Sequence, residues 1–469
     1  MGTISGALNL ITGALQADQS ALNVVANNVA NASNATYTRE VPNWSENQPV
    51  YVNGVAIATG VAMTGGVSQR DRVLEQRLQQ QQQVSSGSAA LLTALTTMQS
   101  SFTVASSASS TGGNIGTDIT NFFDAYTQLE SNPTSNSLRQ QVLSSATVLA
   151  GDVSSTATSL NDQQASLDQS ATTIASQVNT LTTALAQVNQ QIQSLSPNSD
   201  AGTLEDQRQS DLSQLSKLVG VNQITTENNG LSITTTGGQL LVSEGSSFQI
   251  TTGTVNGVTH FFAGGTDITS ALTTGGGQIG GVLTARDQSI PTTLAGLDQL
   301  AYGIATQVNA VNNSGTDLAG DNGNAGNIFN APAQVAGSAE SMSVVMTNPD
   351  LIAAAATGAG TGDNSNAVTA ANLATQATIG GQTPSNFYSN LVSTLGASVN
   401  ETTIQNTAQT ASVTQLQTQV SSLSSVNLDE EASNMQQFQR TYQAASQVFT
   451  MLNTIMASAI NMGVETAVS

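Results

Sequence analysis

The chain has 469 residues, enough for two to four domains and a sizeable buried core. Charged residues make up only 8% and the formal net charge is −21, which argues against a nucleic-acid partner because phosphate binding needs basic side chains. Cysteine is absent, which removes disulfides, zinc thiolates and thiol nucleophiles, and no stretch approaches the roughly 20 apolar residues of a membrane helix.

The N-terminus has no basic region ahead of an apolar run and no small-residue cleavage site, so no cleaved secretory signal is expected. From Ile4, a heptad seam runs in alternating steps of four and three through Leu8, Ile11, Leu15, Asp18, Leu22, Val25 and Val29. Asp18 is its one polar member and a candidate register-setter, with Gln443, Gln447 or Arg440 as partners; the alternative is that Asp18 faces water. An Asn run, Pro42, Pro49 and Asn53-Gly54 then break helix, and Tyr51, Val52, Val55 and Ile57 predict short strands. Trp44 is expected to anchor this loop by packing. A second helix is predicted from about Arg70 to Met98. A flexible Ser/Gly stretch follows, and then a short helix around Phe122-Phe123 that Pro133 ends.

The longest seam runs from Leu143 through Ala150, Leu160, Leu167, Val178 and Leu185 to Leu195, a rod roughly 80 Å long at 1.5 Å per residue. Pro197 ends it, and a shorter helix from Leu204 folds back. From Val221 the composition turns Thr/Gly-rich, with period-two pairs Leu231/Ile233 and Phe248/Ile250 and a hairpin signal at Val255-Asn256-Gly257-Val258. Helical pattern resumes near Gly281, and a Gly/Asn/Ala-rich region extends to about Asp363. Helices from about Ala367 and Pro384 lead to the last forty residues. There the seam is Met435, Phe438, Tyr442, Ala445, Phe449, Leu452, Met456 and Ala459, with Asp429, Glu430 and Glu431 at the helix N-terminus, where carboxylates suit the dipole.

The expected fold is therefore mainly α with a small antiparallel β insert, the N- and C-terminal helices pairing as a coiled coil. The expected units are a terminal assembly domain (1–60 with 425–469), a helical rod (61–220 with 281–424) and a β domain (221–280). The sixteen residues of the two terminal seams are the candidate assembly interface.

Nothing argues for catalysis, a cofactor or a metal. His260 is the only histidine, with no nucleophile motif around it. The stretch Asp317–Asn327 superficially resembles a calcium loop, but Pro332 stands where the bidentate Glu belongs, which favours an Asx-turn loop.

Several stretches carry a family resemblance. They are Leu22-Asn23 with Asn27–Asn31 and Tyr37-Thr38-Arg39; Phe122-Phe123 with Asn132-Pro133; Asp206-Gln207-Arg208 with Leu218–Val221; Gly280–Leu283 with Arg286-Asp287; and Val426–Glu431 with Met435–Tyr442 and Ala445–Val448. Together they resemble the axial proteins of the bacterial flagellum and, within that group, the hook-associated protein 1 family of the hook–filament junction. The resemblance implies a non-enzymatic extracellular subunit, exported unfolded with a chaperone on its C-terminal helix. It implies self-assembly into a short helical ring between hook protein and the next junction protein, without membrane insertion. Two departures stand out. Asn34-Ala35-Thr36 replaces the family's Pro-Gly turn, and the region 317–365 replaces an outer β domain that many relatives carry. Other readings stay open: a filament subunit or another axial protein, or a secreted adhesin or enzyme anchored by its terminal helices.

Overall fold

The computed structural model describes residues 2–34, 36–52, 55–104, 114–195, 201–225, 230–321, 323 and 325–465. The chain opens with helix α1 (Gly2–Asn31) and a ribbon in which β1 (Glu40–Glu46) pairs antiparallel with β4 (Val61–Ser68). The ribbon's outer part is the short pair β2 (Val50–Val52) and β3 (Val55–Ile57). Helices α2 (Arg72–Val104), α3 (Ile115–Ser131), α4 (Asn136–Ser194) and α5 (Gly202–Leu218) follow. Strands β5 (Val221–Thr225), β6 (Leu231–Thr235), β7 (Leu240–Ser243) and β8 (Ser246–Ser247) form one antiparallel sheet in chain order. A second sheet comprises β9 (Ile250–Val255), β10 (Val258–Ala263) and β11 (Thr266–Asp267). Then come α6 (Thr269–Gly275), α7 (Gly277–Thr284), a π turn, α8 (Ile290–Ser314), α9 (Ser365–Asn372), α10 (Pro384–Ser424) and α11 (Leu428–Glu465).

Helix α4 is the backbone of the rod. Its 59 residues span about 88 Å. Ser135 caps its start by accepting from the Leu138 N–H, one of the donors a helix N-terminus leaves open. Its seam is buried in two stretches, Val142–Leu160 and Ala171–Ile192. The first sits in a core with α2, α3, α8, α9 and α10 that includes Phe122, Phe123, Leu297 and Ile304. The second packs against α5, α7 and the strands, with Leu215, Ile233, Leu241, Phe261 and Leu283 around it. Leu167 lies between the two cores and touches both.

The strands are thus seated on the distal half of α4. Entry and exit of this β region are stitched together, the Gly220 N–H donating to the Gly276 carbonyl at 3.2 Å. At Gly277 (φ 72°) the chain passes so close to the Val219 backbone that only glycine fits. Asn256 (φ 52°) and Gly257 (φ 84°) make the left-handed two-residue turn expected between Val255 and Val258.

Two local expectations, on Phe248 and Leu195, change. Phe248 precedes β9 and is exposed, because the chain turns there to bond its N–H to the Leu241 carbonyl; only Ile250 of that pair is buried. The Gly/Asn/Ala-rich region after α8, whose order its composition leaves open, is packed. Ile328, Phe329, Met342 and Ile352 enter the first core, and buried Asn309 and Asn312 satisfy its backbone. Leu195, the last member of the long seam, is exposed at the end of α4. Asn53-Gly54, Pro197 and most of the Ser/Gly stretch after α2 lie outside the described residues.

Candidate assembly interface

Two contacts fix how α1 meets α11. Asn28 Nδ2 donates to Glu431 Oε2 at 3.1 Å, and the Asp18 carboxylate lies beside the Thr441 hydroxyl, whose proton is directed at the Phe438 carbonyl. Ten residues back along α1 matches ten residues forward along α11, so the helices run antiparallel without a slip. Asp18 therefore faces α11, and its partner is Thr441, not Gln443, Gln447 or Arg440. Burial raises its pKa, and the Thr441 hydroxyl opposes that rise.

On α1 the buried line is Ala17, Ala21, Val25 and Asn28. Ile4, Leu8, Ile11, Leu15, Asp18 and Leu22 flank it half-buried, and Val29 lies on the surface. Asn28 turns inward because all its hydrogen-bonding capacity is used there, and one residue on, about 100° round the helix, Val29 must point outward. On α11, Met435, Phe438, Ala445, Phe449, Leu452, Met456 and Ala459 are half-buried and Tyr442 stands at the exposed edge. The Trp44 ring on β1 lies 6.0 Å from Phe438, so the tryptophan rests on α11 while staying partly exposed. Val448, Met451 and Ile455 form a separate apolar stripe on α11 at helical spacing, and it is exposed.

The inner end of this helix pair is polar. Asn28 Nδ2 also donates to the Glu40 carbonyl (2.8 Å), and its Oδ1 accepts from the Glu40 N–H (3.0 Å) and the Tyr37 hydroxyl (2.8 Å). Arg39 Nε bonds Glu431 Oε1 and its second guanidinium nitrogen bonds Glu430 Oε1, both at 2.7 Å. The Arg39 N–H donates to the Ser424 carbonyl at 2.9 Å, so one arginine bridges the end of α10 and the start of α11. Glu430 and Glu431 were expected to serve the helix dipole; their main partner is this arginine.

A second cluster ties the terminal unit (α1, β1–β3 and α11) to the rod. The Thr38 N–H donates to Asp206 Oδ2 (3.1 Å), and Arg70 donates to both Thr38 Oγ1 (3.0 Å) and Asp206 Oδ1. Glu205 takes ion pairs from Arg70, Arg72 and Arg208. Glu75 lies 3.6 Å from Arg70, and burial pushes its carboxyl up to about 7. Four of the nine Lys/Arg residues thus gather at this one junction, where a sparse supply of cations is spent on holding the parts together.

Outside the junction, buried Arg286 pairs with Asp168 and Asp287 and lies over the Phe261 ring. Buried Arg139 donates to the Pro133 carbonyl at 2.9 Å and to that of Ile352. His260 Nδ1 meets Asp267 Oδ2 at 2.6 Å on the β10–β11 surface. Asp317 Oδ1 accepts from the Asp321 N–H, an Asx-type turn. Among the described residues no three His, Cys, Asp or Glu are grouped to hold a metal ion, and no helix is long and apolar enough to cross a membrane.

Joined termini, a continuous helical rod and charges concentrated at the hinge between them define a structural subunit built for packing against other helices. Residues 101–329 match the profile of the flagellar hook-associated protein FlgK helical domain. The chain is 25% identical to flagellar hook-associated protein 1 of Escherichia coli, over 98% of this chain and all of that protein. It is 26% identical to the Bacillus subtilis protein of the same name, over 96% and 97%. The structure of the flagellar hook junction protein FlgK from Burkholderia pseudomallei shares the fold at 19% identity, with a TM-score of 0.63 over 73% of this chain and 98% of that one. Over nearly its whole length the chain is similar to proteins of the flagellar hook-associated protein 1 (FlgK) family.

Proposed function

We propose that this chain is the structural subunit joining hook to filament in a bacterial flagellum, without enzymatic activity. The observation that carries the reading is the convergence of three of the stretches on which the family resemblance rests. Asn28, Tyr37 and Arg39 from the first, Asp206 from the second and Glu431 from the third meet around one junction, which gives those stretches a common physical purpose. End-to-end similarity to relatives named hook-associated protein 1 supports the same reading.

In this account the terminal unit (1–60 with 425–469) makes the ring of copies. The exposed stripe Val448, Met451 and Ile455 is where a neighbouring copy's helix packs, since the subunit itself leaves it uncovered. The near absence of charge on α1 and α11 lets many copies lie side by side without accumulated repulsion. The rod (61–220 with 281–424) and the strands (221–280) lie outside that ring. The hook protein and the next junction protein are the axial neighbours. The subunit leaves the cell unfolded, with an export chaperone covering α11.

The test is electron microscopy of a strain lacking this chain. Hooks without attached filaments, restored by the wild-type chain, are expected. Normal filaments in the deletion strain would overturn the reading.

A further inference from the structure

The wall between the terminal unit and the rod holds one buried carboxylate that the junction's hydrogen bonds leave out. Glu75, on the first turn of α2, is contacted by Arg70 only at ion-pair distance, while the other edge of that guanidinium serves Thr38 and Asp206. Two cavities meet at Glu75. One, of about 100 Å³, is lined by Arg70, Arg72, Gln79, Glu205 and Arg208. The other, of about 420 Å³, lies under the α1–β1 linker and is walled by Tyr37, Thr38, Ser213, Gln417 and Ser424 among others. The smaller is mainly polar, the larger is lined by polar and apolar groups alike, and both are large enough for water, so a proton can reach Glu75 although its side chain is only 10% exposed.

We propose that Glu75 is a proton-operated latch: protonated, it leaves Arg70 to hold the terminal unit to the rod, and ionised, it competes for Arg70 and loosens that hold. The charged and titratable groups facing it are Arg70 and Arg72 beside it, Glu205, Asp206 and Arg208 from α5, and Tyr37 from the α1–β1 linker. Helix α10 contributes only amides, hydroxyls and a valine to the larger cavity. Burial favours the neutral acid in the closed arrangement, where the carboxyl is held well above its ordinary range. Linkage then gives the direction. The closed form binds the proton more tightly, so it is favoured as pH falls and the open form gains as pH rises from the ordinary carboxylate range to about 7, by up to about tenfold per pH unit for one proton.

The chain has no cysteine, so spin labels at Gln19→Cys on α1 and Ser159→Cys on α4, both exposed, report the geometry of the full chain uniquely. In the wild-type background the label distance should be narrow at about pH 5, with a second, broader population growing as pH rises to about 7 and levelling off above it. Glu75→Gln, or Glu75→Met if the glutamine variant loses helix content, should stay narrow throughout. Asp206→Asn, which weakens the acceptor of the Thr38 N–H and of Arg70, should be broad at every pH. A pH-invariant wild type, the same pH response in both Glu75 variants, or a narrow Asp206→Asn distribution would overturn the latch.

Discussion

Arg39 and Glu431 stand 392 positions apart in the chain, yet their side chains meet at 2.7 Å. Glu431 is 1% exposed, and among the described residues Arg39 is its one cationic partner. The pair therefore closes the chain's two ends on each other, and its strength decides whether the terminal helices stay together in an isolated subunit.

Removing the cation should be costly. Arg39→Ala leaves a buried carboxylate facing Asn28 alone, and breaking such a pair costs about 3 kcal/mol. The single tryptophan, Trp44, rests on Phe438 of α11 and reports this unit directly. Its fluorescence should shift at lower denaturant in Arg39→Ala, while the helical signal of the rod holds. Adding Glu431→Gln should recover part of the loss.

Asn28 satisfies both its donors and both its acceptor sites within the junction. Asn28→Ala should cost about 2 kcal/mol and Tyr37→Phe about 1 kcal/mol. Because the two share a bond, the double variant should lose less than the two single losses combined. Simple additivity in denaturant melts would show that the Tyr37 hydroxyl has another partner.

Gly281 sits where α7 crosses α2. A Cβ there would fall well inside contact distance of the Gly87 carbonyl and close to the Leu91 N–H, both rigid backbone groups. In a free helix the change to alanine gains about 1 kcal/mol. Here Gly281→Ala should instead destabilise the rod by about 1–3 kcal/mol as the two helices are forced apart. A raised melting temperature would mean the crossing is looser than the geometry describes.

Asp18 makes stability depend on pH in a defined sense. Its folded pKa lies above the ordinary carboxylate value, so the fold gains stability as pH falls through that raised value towards 3.8. Asp18→Asn keeps a hydrogen-bonding group for Thr441 without the charge. The variant should be more stable than wild type at neutral pH, by under about 1 kcal/mol, and the gap should close in acid. A gap that widens as pH falls would reverse the assignment.

Much of the architecture was legible because it rests on periodicity. The run from Leu143 to Ile192 keeps its seam and forms one helix, and Val255-Asn256-Gly257-Val258 turns as its residue types demand. What stayed hidden was specific pairing. Nothing local in Arg39 or Asp206 reveals a partner hundreds of residues away; the only available signal was scarcity, since so few cations must each find a carboxylate. Val29 looked like a seam residue because apolar spacing cannot anticipate an asparagine that takes the inward position through hydrogen bonds. Composition left open whether the segment after α8 is ordered, and it is held by buried asparagines bonding irregular backbone.

The antiparallel register of α1 on α11 is the feature on which the whole account depends. Cross-linking with a short bis-maleimide tests it directly, using Asp18→Cys with Thr441→Cys and, as the slipped control, Asp18→Cys with Val448→Cys. The account predicts rapid cross-linking within single chains for the first pair, little for the second, and filament-bearing hooks when the cross-linked register is allowed to form in the deletion strain. Preferential capture of the slipped pair, or cross-links only between chains, would contradict it.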